Sequence, residues 1–378
     1  MSAGIVKRHL RMNNLESLLS RNQFEYPKPF NAAALDVLFD VAEARSKARK
    51  MAVFKNARVT GNGVIMSHSN VCRAVRIGGA NGTARDTISF KSYQNESIPK
   101  SRRFASVITL ANFAQGSWHF PMELLVALAN VDPRIIARSM IHVKSLDSRL
   151  SWLEMVGITS GKVVAGVPGT VYADTVYAPQ MAPYGKPFTS QLYWLKDMVL
   201  QKLNLTGIYS HDESPRRRSI VLIQRDTNDG RILQNFSSLK YVLRNIANIL
   251  GFDFHIHFKI GNFEKQFLRF VDAAVVVAPH GAGELFINFA PVDLCLIELI
   301  SVGEPLCFAR MAYLKGQDYI SVMRNQEHPR KADIVEVANA IRRCSLRNAS
   351  LSSDTVLKVN QVLKTFGKNA SCPACLLK

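Results

Sequence analysis

Apolar and polar positions along the chain change period several times, and each change marks an element. Ala32 to Lys50 is Ala-rich with charges at Asp36, Asp40, Glu43, Arg45, Lys47, Arg49 and Lys50, which predicts a basic helical lead-in over residues 1–50. From Met51 the spacing shortens to β-type runs, Ala52-Val53-Phe54, Gly63-Val64-Ile65-Met66 and Val71 to Arg76. Gly61, Gly63, Gly78 and Gly79 break them, so a small meander is expected. Ile77 to Arg102 reads as a long polar loop. Beyond it strands and helices alternate: strand Phe104 to Leu110, helix Phe120 to Ala129, strand Ser139 to Val143, helix Ser148 to Val156, strand Lys162 to Ala165. A second series follows the charged stretch His211 to Arg218. It runs strand Ser219 to Gln224, helix Ser237 to Leu250, strand Phe254 to Phe258, helix Phe263 to Val271 and strand Ala273 to Ala278. Strand Leu294 to Leu299, helix Pro305 to Leu314, strand Tyr319 to Val322 and helix Ile334 to Arg343 complete it.

Strands that alternate with helices pair in parallel, and two such series predict an α/β fold with two β/α domains. The expected boundaries are 1–50 for the lead-in, 51–203 for the first domain, 204–345 for the second and 346–378 for a tail. Ala273 to Ala278 has no alternation, as expected of a strand covered by helices on both faces.

Composition changes this picture little and charge changes it more. With 378 residues, 47% hydrophobic and 20% charged, the chain can bury a core, which excludes disordered and fibrous classes. A formal charge of +19 points to an anionic partner: nucleic acid, a phosphorylated small molecule or an acidic surface. Six cysteines are too few for a disulfide scaffold and show no repeated metal-ligand pair; Cys372-Pro373-Ala374-Cys375 is assigned no function. No signal peptide or membrane span is read in the sequence. Sequons at Asn81, Asn95, Asn204, Asn235, Asn348 and Asn369 would fit a secretory or Golgi lumen if an N-terminal anchor is missing; otherwise the compartment is cytoplasmic.

The sharpest chemical feature is Ala278-Pro279-His280-Gly281-Ala282-Gly283-Glu284, which follows a buried strand and opens an apolar helix. Small residues let a backbone approach phosphate, and a helix start offers N–H groups and partial positive charge. Phe286 stands where a dinucleotide fingerprint needs its third glycine, and no P-loop occurs. A plain tight turn is the alternative reading of this segment alone. Ser219 to Gln224 ends at Arg225, with Arg231 beyond; guanidinium groups at that strand end can fork onto a diphosphate, or pair with Asp226 or Asp229. Glu298 ends another buried strand and could accept ribose hydroxyls, or act as a helix cap. His119 and Glu123 lie four apart at a helix start, the spacing of an imidazole base oriented by a carboxylate, although such pairs are more often structural. No metal-binding motif is found.

In this order the blocks resemble glycosyltransferase family 61. Trp118-His119-Phe120 with Glu123-Leu124-Leu125, Ile223-Gln224-Arg225 with Arg231-Ile232-Leu233, and Lys265-Gln266 before Phe270 are similar to family motifs. So are His280-Gly281-Ala282-Gly283 with Asn288 and Ile297-Glu298-Leu299, and Phe308 to Tyr319. The resemblance implies a GT-B arrangement of two Rossmann-like domains facing a cleft. It also implies inverting transfer of a sugar from a nucleotide diphosphate, expected to be UDP, to a hydroxyl of a glycan or glycoprotein, with no metal. On that reading Arg225, Arg231, His280, Gly281, Ala282 and Gly283 hold the diphosphate, Glu298 takes ribose or base-side contacts, and His119 with Glu123 supplies the base. The rival readings are a basic nucleic-acid-binding protein, which lacks any recognised module here, and a sugar-nucleotide binder without turnover.

Overall fold

Among the described residues the strands form two six-stranded sheets. The computed structural model describes residues 24–25, 51–67, 97–111, 117–166, 169–182, 185–205, 218–225, 232–258, 263–301, 304–324, 331–348, 354–355 and 357–362. The lead-in helix, the run Val71 to Arg76, most of the charged stretch His211 to Arg218, Arg231 and the Cys372–Cys375 segment lie outside the described residues. The chain divides into two units, one of residues 33–212 with 305–310, the other of residues 1–32, 213–304 and 311–378. In chain order the first strand, β1 (Phe24–Glu25), is an edge of the second unit's sheet.

The first unit's sheet is built from β2 (Met51–Val59), β3 (Ile65–Ser67), β4 (Arg103–Thr109), β5 (Met140–Val143), β6 (Val163–Ala165) and β7 (Val171–Pro179), in spatial order β3-β2-β7-β4-β5-β6. β7, β4, β5 and β6 run parallel, while β2 is antiparallel to both β3 and β7. The expected meander is thus one hairpin of this sheet. Ala52-Val53-Phe54 is part of a longer strand that continues through Asn56, a residue at φ 48. Inward positions Ala57, Val59, Val107, Val171, Ala173 and Val176 form the core on one face. Helices α1 (Pro133–Arg138), α2 (Asp147–Met155) and α3 (Thr189–Lys202) complete the unit.

Two differences from the sequence reading are informative. Phe120 to Ala129 is not a regular α-helix: Phe120–Leu124 forms a π turn and Leu125–Asn130 a 3-10 stretch. Pro121 removes an N–H from the opening turn, and the Leu125 N–H closes onto the Phe120 carbonyl five residues back. In addition, β7 and α3 had no counterpart in the reading. Asp174 and Thr175 interrupt the apolar run of β7, whereas α3 buries Leu192, Leu195, Val199 and Leu200 at helical spacing, a signal present in the sequence.

The second sheet adds β8 (Ser219–Ile223), β9 (Asp253–His257), β10 (Ala273–Pro279), β11 (Cys295–Ile300) and β12 (Asp318–Met323), in spatial order β1-β12-β11-β10-β8-β9 and parallel throughout. Leaving aside β1, the order is second, first, third, fourth, fifth. This doubly wound order reverses direction between β8 and β10. All seven residues of β10 are buried, as its unbroken apolar run requires. On one face α4 (Phe236–Leu250) and α7 (Ile334–Asn348) pack Leu239, Leu243, Ile246, Val337 and Ile341 over Val275, Val277, Ile297 and Ile320. On the other, α5 (Phe263–Val271) and the 3-10 segment Ala282–Phe289 meet through Phe267, Phe270, Phe286 and Phe289; the Phe267 and Phe289 centroids are 4.7 Å apart. The helix α6 (Cys307–Lys315) precedes β12.

A disulfide joins Cys295 of β11 to Cys344 of α7, a pairing that cysteine spacing did not signal. Of the sequon asparagines, Asn204 is exposed after α3, whereas Asn235 donates to the Ala332 carbonyl at 2.8 Å and accepts its N–H at 3.0 Å. Among the described residues no helix is long and apolar enough to cross a membrane.

Candidate functional site

The chemistry-bearing residues fall into two groups, one per unit. In the second unit β8 and β10 are parallel, so both end at the same edge of the sheet. Arg225 lies two residues past β8 and His280 one past β10. The half-buried Arg225 guanidinium donates to the His280 carbonyl at 3.4 Å. This edge lies at the reversal of strand order, where open parallel sheets bind ligands. The chain can turn so sharply after β10 because Gly281 adopts φ 145 and ψ −174, a backbone conformation that side chains disfavour. Gly283 is small for a different reason: a Cβ there would lie 3.0 Å from the Ile223 methyl, so the segment sits close against β8.

Below this turn is a buried polar cluster. His280 Nδ1 lies 2.5 Å from Glu298 Oε1, and the Tyr319 hydroxyl donates to Glu298 Oε2 at 2.7 Å. Both oxygens of Glu298, a fully buried residue, are thereby engaged within the protein. A ribose contact through Glu298 would share these oxygens with His280 and Tyr319. Glu284, also fully buried, accepts the Gly281 N–H at 2.8 Å through Oε2, while its Oε1 has no hydrogen-bond partner. Burial, followed by the nearby charge of Glu298, pushes the Glu284 carboxyl well above the usual range, against the opposing effects of the Gly281 N–H and Arg225. Burial thus favours the protonated form of Glu284.

Ligand atoms of His280, Glu284 and Glu298 lie within 4.8 Å of one another. In the structure these groups are joined by hydrogen bonds within the protein. Nδ1 of His280 bonds Oε1 of Glu298 at 2.5 Å, while Tyr319 and Gly281 donate to other carboxylate oxygens of the group. The group is a hydrogen-bonded acid–base cluster.

In the first unit the π turn carries the second group. His119 Nδ1 lies 2.9 Å from Glu123 Oε1, and the same oxygen accepts the Gly185 N–H at 2.9 Å. The Ala182 N–H donates to the Glu123 carbonyl at 3.0 Å. Glu123 is buried, and the His119 side chain keeps 20% of its surface exposed. Trp118 anchors the turn edge-on against Phe308, with centroids 4.7 Å apart. The arrangement holds an imidazole in one orientation with its second nitrogen directed away from the carboxylate. π turns recur at functional sites for such re-aiming of side chains.

Residues 117–297 match the profile of Glycosyltransferase 61. Over that segment, just under half of the chain, the protein is similar to glycosyltransferase family 61. The matched segment begins two residues before His119 and ends one before Glu298, so it includes both groups apart from Glu298 and Tyr319. No curated protein matches the chain. For a glycosyltransferase the two groups divide by chemistry into a cationic strand edge with a glycine turn and an imidazole–carboxylate pair. Sequence reasoning missed Glu284 and Tyr319. Glu284 had a signal, a Glu three residues after the turn glycine at a helix start, the spacing of a capping carboxylate. Tyr319 stood at the end of a family-like segment, but its contact to Glu298 on the neighbouring strand left no local mark.

Proposed function

We propose that the protein is an inverting glycosyltransferase that takes a sugar from a nucleotide diphosphate, UDP by preference, and passes it to a hydroxyl of a glycan or glycoprotein. The observation that carries this reading is the meeting of Arg225 with the His280-Gly281 turn at the strand-order reversal of a parallel sheet. The proposal includes a GT-B arrangement, with the donor held by the second unit and the acceptor by the first across a cleft.

The acceptor oxygen loses its proton to a base as it attacks the anomeric carbon. The bond from that carbon to the diphosphate breaks, and its electron pair goes to a phosphate oxygen. Developing charge on the leaving group calls for fixed donors. Arg225 supplies a guanidinium, Ala282 and Gly283 bring backbone N–H groups at the start of a helical segment, and Arg231 is assigned a second fork. His280 orients the leaving phosphate, with Glu298 holding its ring. The shift of Glu284 toward its protonated form lessens the repulsion an approaching dianion would meet. With Nδ1–H of His119 given to Glu123, Nε2 is the basic nitrogen, and His119 is the base. No step of this scheme runs through a metal.

The test is turnover with a panel of nucleotide sugars, followed as release of the nucleoside diphosphate. A UDP-sugar should be consumed, with Arg225→Ala slowed at least tenfold and His119→Ala at least a hundredfold. Full activity in both His119→Ala and Glu123→Ala would remove the base from this turn. Binding of UDP without turnover of any sugar would make the chain a binder.

A further inference from the structure

Glu298 is a carboxylate with no exposure to water, held by donors from two directions: His280 at the end of β10 and Tyr319 on β12. A buried carboxylate is costly unless each oxygen is satisfied, and a buried tyrosine hydroxyl is costly unless it has an acceptor. A phenylalanine would fill the same space without the second cost, and hydrophobic packing gives no reason for an oxygen there. Tyr319 has no exposure either. In register Tyr319 stands opposite Leu296, and Glu298 opposite Ala278 and Ser321, so the hydroxyl reaches along the sheet toward its carboxyl edge rather than directly across. The carboxylate is thus pinned at Oε2 before it meets the imidazole at Oε1. Glu298, Glu304 and Arg225 all act electrostatically on the neighbouring Glu284, and Arg324 donates to Glu304 at 3.0 Å.

We propose that Tyr319 is a positioning residue for donor binding: its hydroxyl, acting through Glu298, fixes the ring orientation and the Nδ1–H tautomer of His280 at the phosphate-binding edge. This inference rests on the reading of that edge as the diphosphate site. Tyr319 does not touch the donor. Its effect is relayed, because Glu298 freed at Oε2 can rotate and the imidazole turns with it. The relay resembles the way a carboxylate orients a histidine in other catalytic and metal-binding sites.

The experiment measures UDP affinity by calorimetry and the histidine ring nitrogens by NMR on protein labelled with nitrogen-15 histidine, for wild type and Tyr319→Phe. The His280 signal is assigned by its loss in His280→Gln. Wild type should show His280 as the Nδ1–H tautomer. Tyr319→Phe should mix the tautomers and weaken UDP binding about three- to tenfold, the order expected when one bond to a charged group is lost and its effect is passed on in part. Tyr319→Phe added to Glu298→Gln should cause no further loss, since the path runs through Glu298. That double comparison also serves if Tyr319→Phe alone proves unstable. A folded Tyr319→Phe with wild-type UDP affinity and an unchanged His280 signal overturns the inference and leaves the diphosphate site standing. Failure of wild type to bind UDP or any other nucleoside diphosphate overturns both.

Discussion

Glu284 shows how much one buried carboxyl can matter. It lies beside Glu298 with no exposure, and both burial and that neighbouring charge disfavour its ionised form. Its native pKa is raised above the unfolded value of about 4.3. The unfolded chain therefore releases this proton first, and stability falls as pH rises from there toward the native value. Glu284→Gln keeps the carbonyl that accepts the Gly281 N–H and removes the proton requirement. The variant should be more stable than wild type at pH 7, with the gap widening by about 1.4 kcal/mol per pH unit until the native carboxyl ionises. Urea unfolding of both proteins from pH 5 to pH 8 measures it; a constant gap would mean that Glu284 is ionised in the fold. At this scale the legible residues were those beside a strand end. Arg225 and His280 follow apolar runs, and parallel pairing brings them to one edge. The partners Tyr319 and Glu298 lie 21 residues apart, and no local pattern records their bond.

The element on which the site depends is the turn from β10 into the 3-10 segment. Gly281 at φ 145 cannot be replaced without strain. Gly281→Ala should cost about 1–3 kcal/mol of stability and displace both the His280 ring and the Glu284 carboxyl, so that UDP no longer raises the melting temperature. A variant melting like wild type with UDP response intact would show that the turn tolerates a side chain. β10 was legible because a strand buried on both faces needs an unbroken apolar run. The π turn was less so: the His119–Glu123 spacing suits either helix type, and the Leu125 N–H to Phe120 carbonyl closure leaves no mark in composition. β7 hides its strand character behind Asp174 and Thr175, which the sheet accommodates at positions of lower burial.

Across the molecule each unit buries a histidine. His142 of β5, with Nδ1 3.0 Å from the Thr109 hydroxyl, is held down to about 3 by burial and then by Arg102. His257 of β9, ringed by Phe270 and Phe286, is held down to about 4 by burial and then by Arg269. Between these values and the unfolded value of about 6.5 the unfolded chain binds protons that the native protein does not, so acid destabilises both units. Each histidine can withdraw on the order of 4 kcal/mol across its whole window. The urea midpoint should drop steadily from pH 7 to pH 5, and His142→Gln should flatten that slope for the first unit. A midpoint independent of pH in this range would mean that the two rings titrate in the fold as they do in the unfolded chain. The charge of +19 suits an anionic donor but does not by itself select one.

The central claim, that the edge between β8 and β10 grips a nucleoside diphosphate through Arg225 and the His280-Gly281 turn, is tested most directly by thermal unfolding with UDP. At a hundredfold excess over Kd the nucleotide should raise the wild-type melting temperature by about 3 °C, and Arg225→Ala should lose most of that rise at the same concentration. An equal rise in Arg225→Ala, or no rise in wild type with any nucleoside diphosphate, contradicts the account.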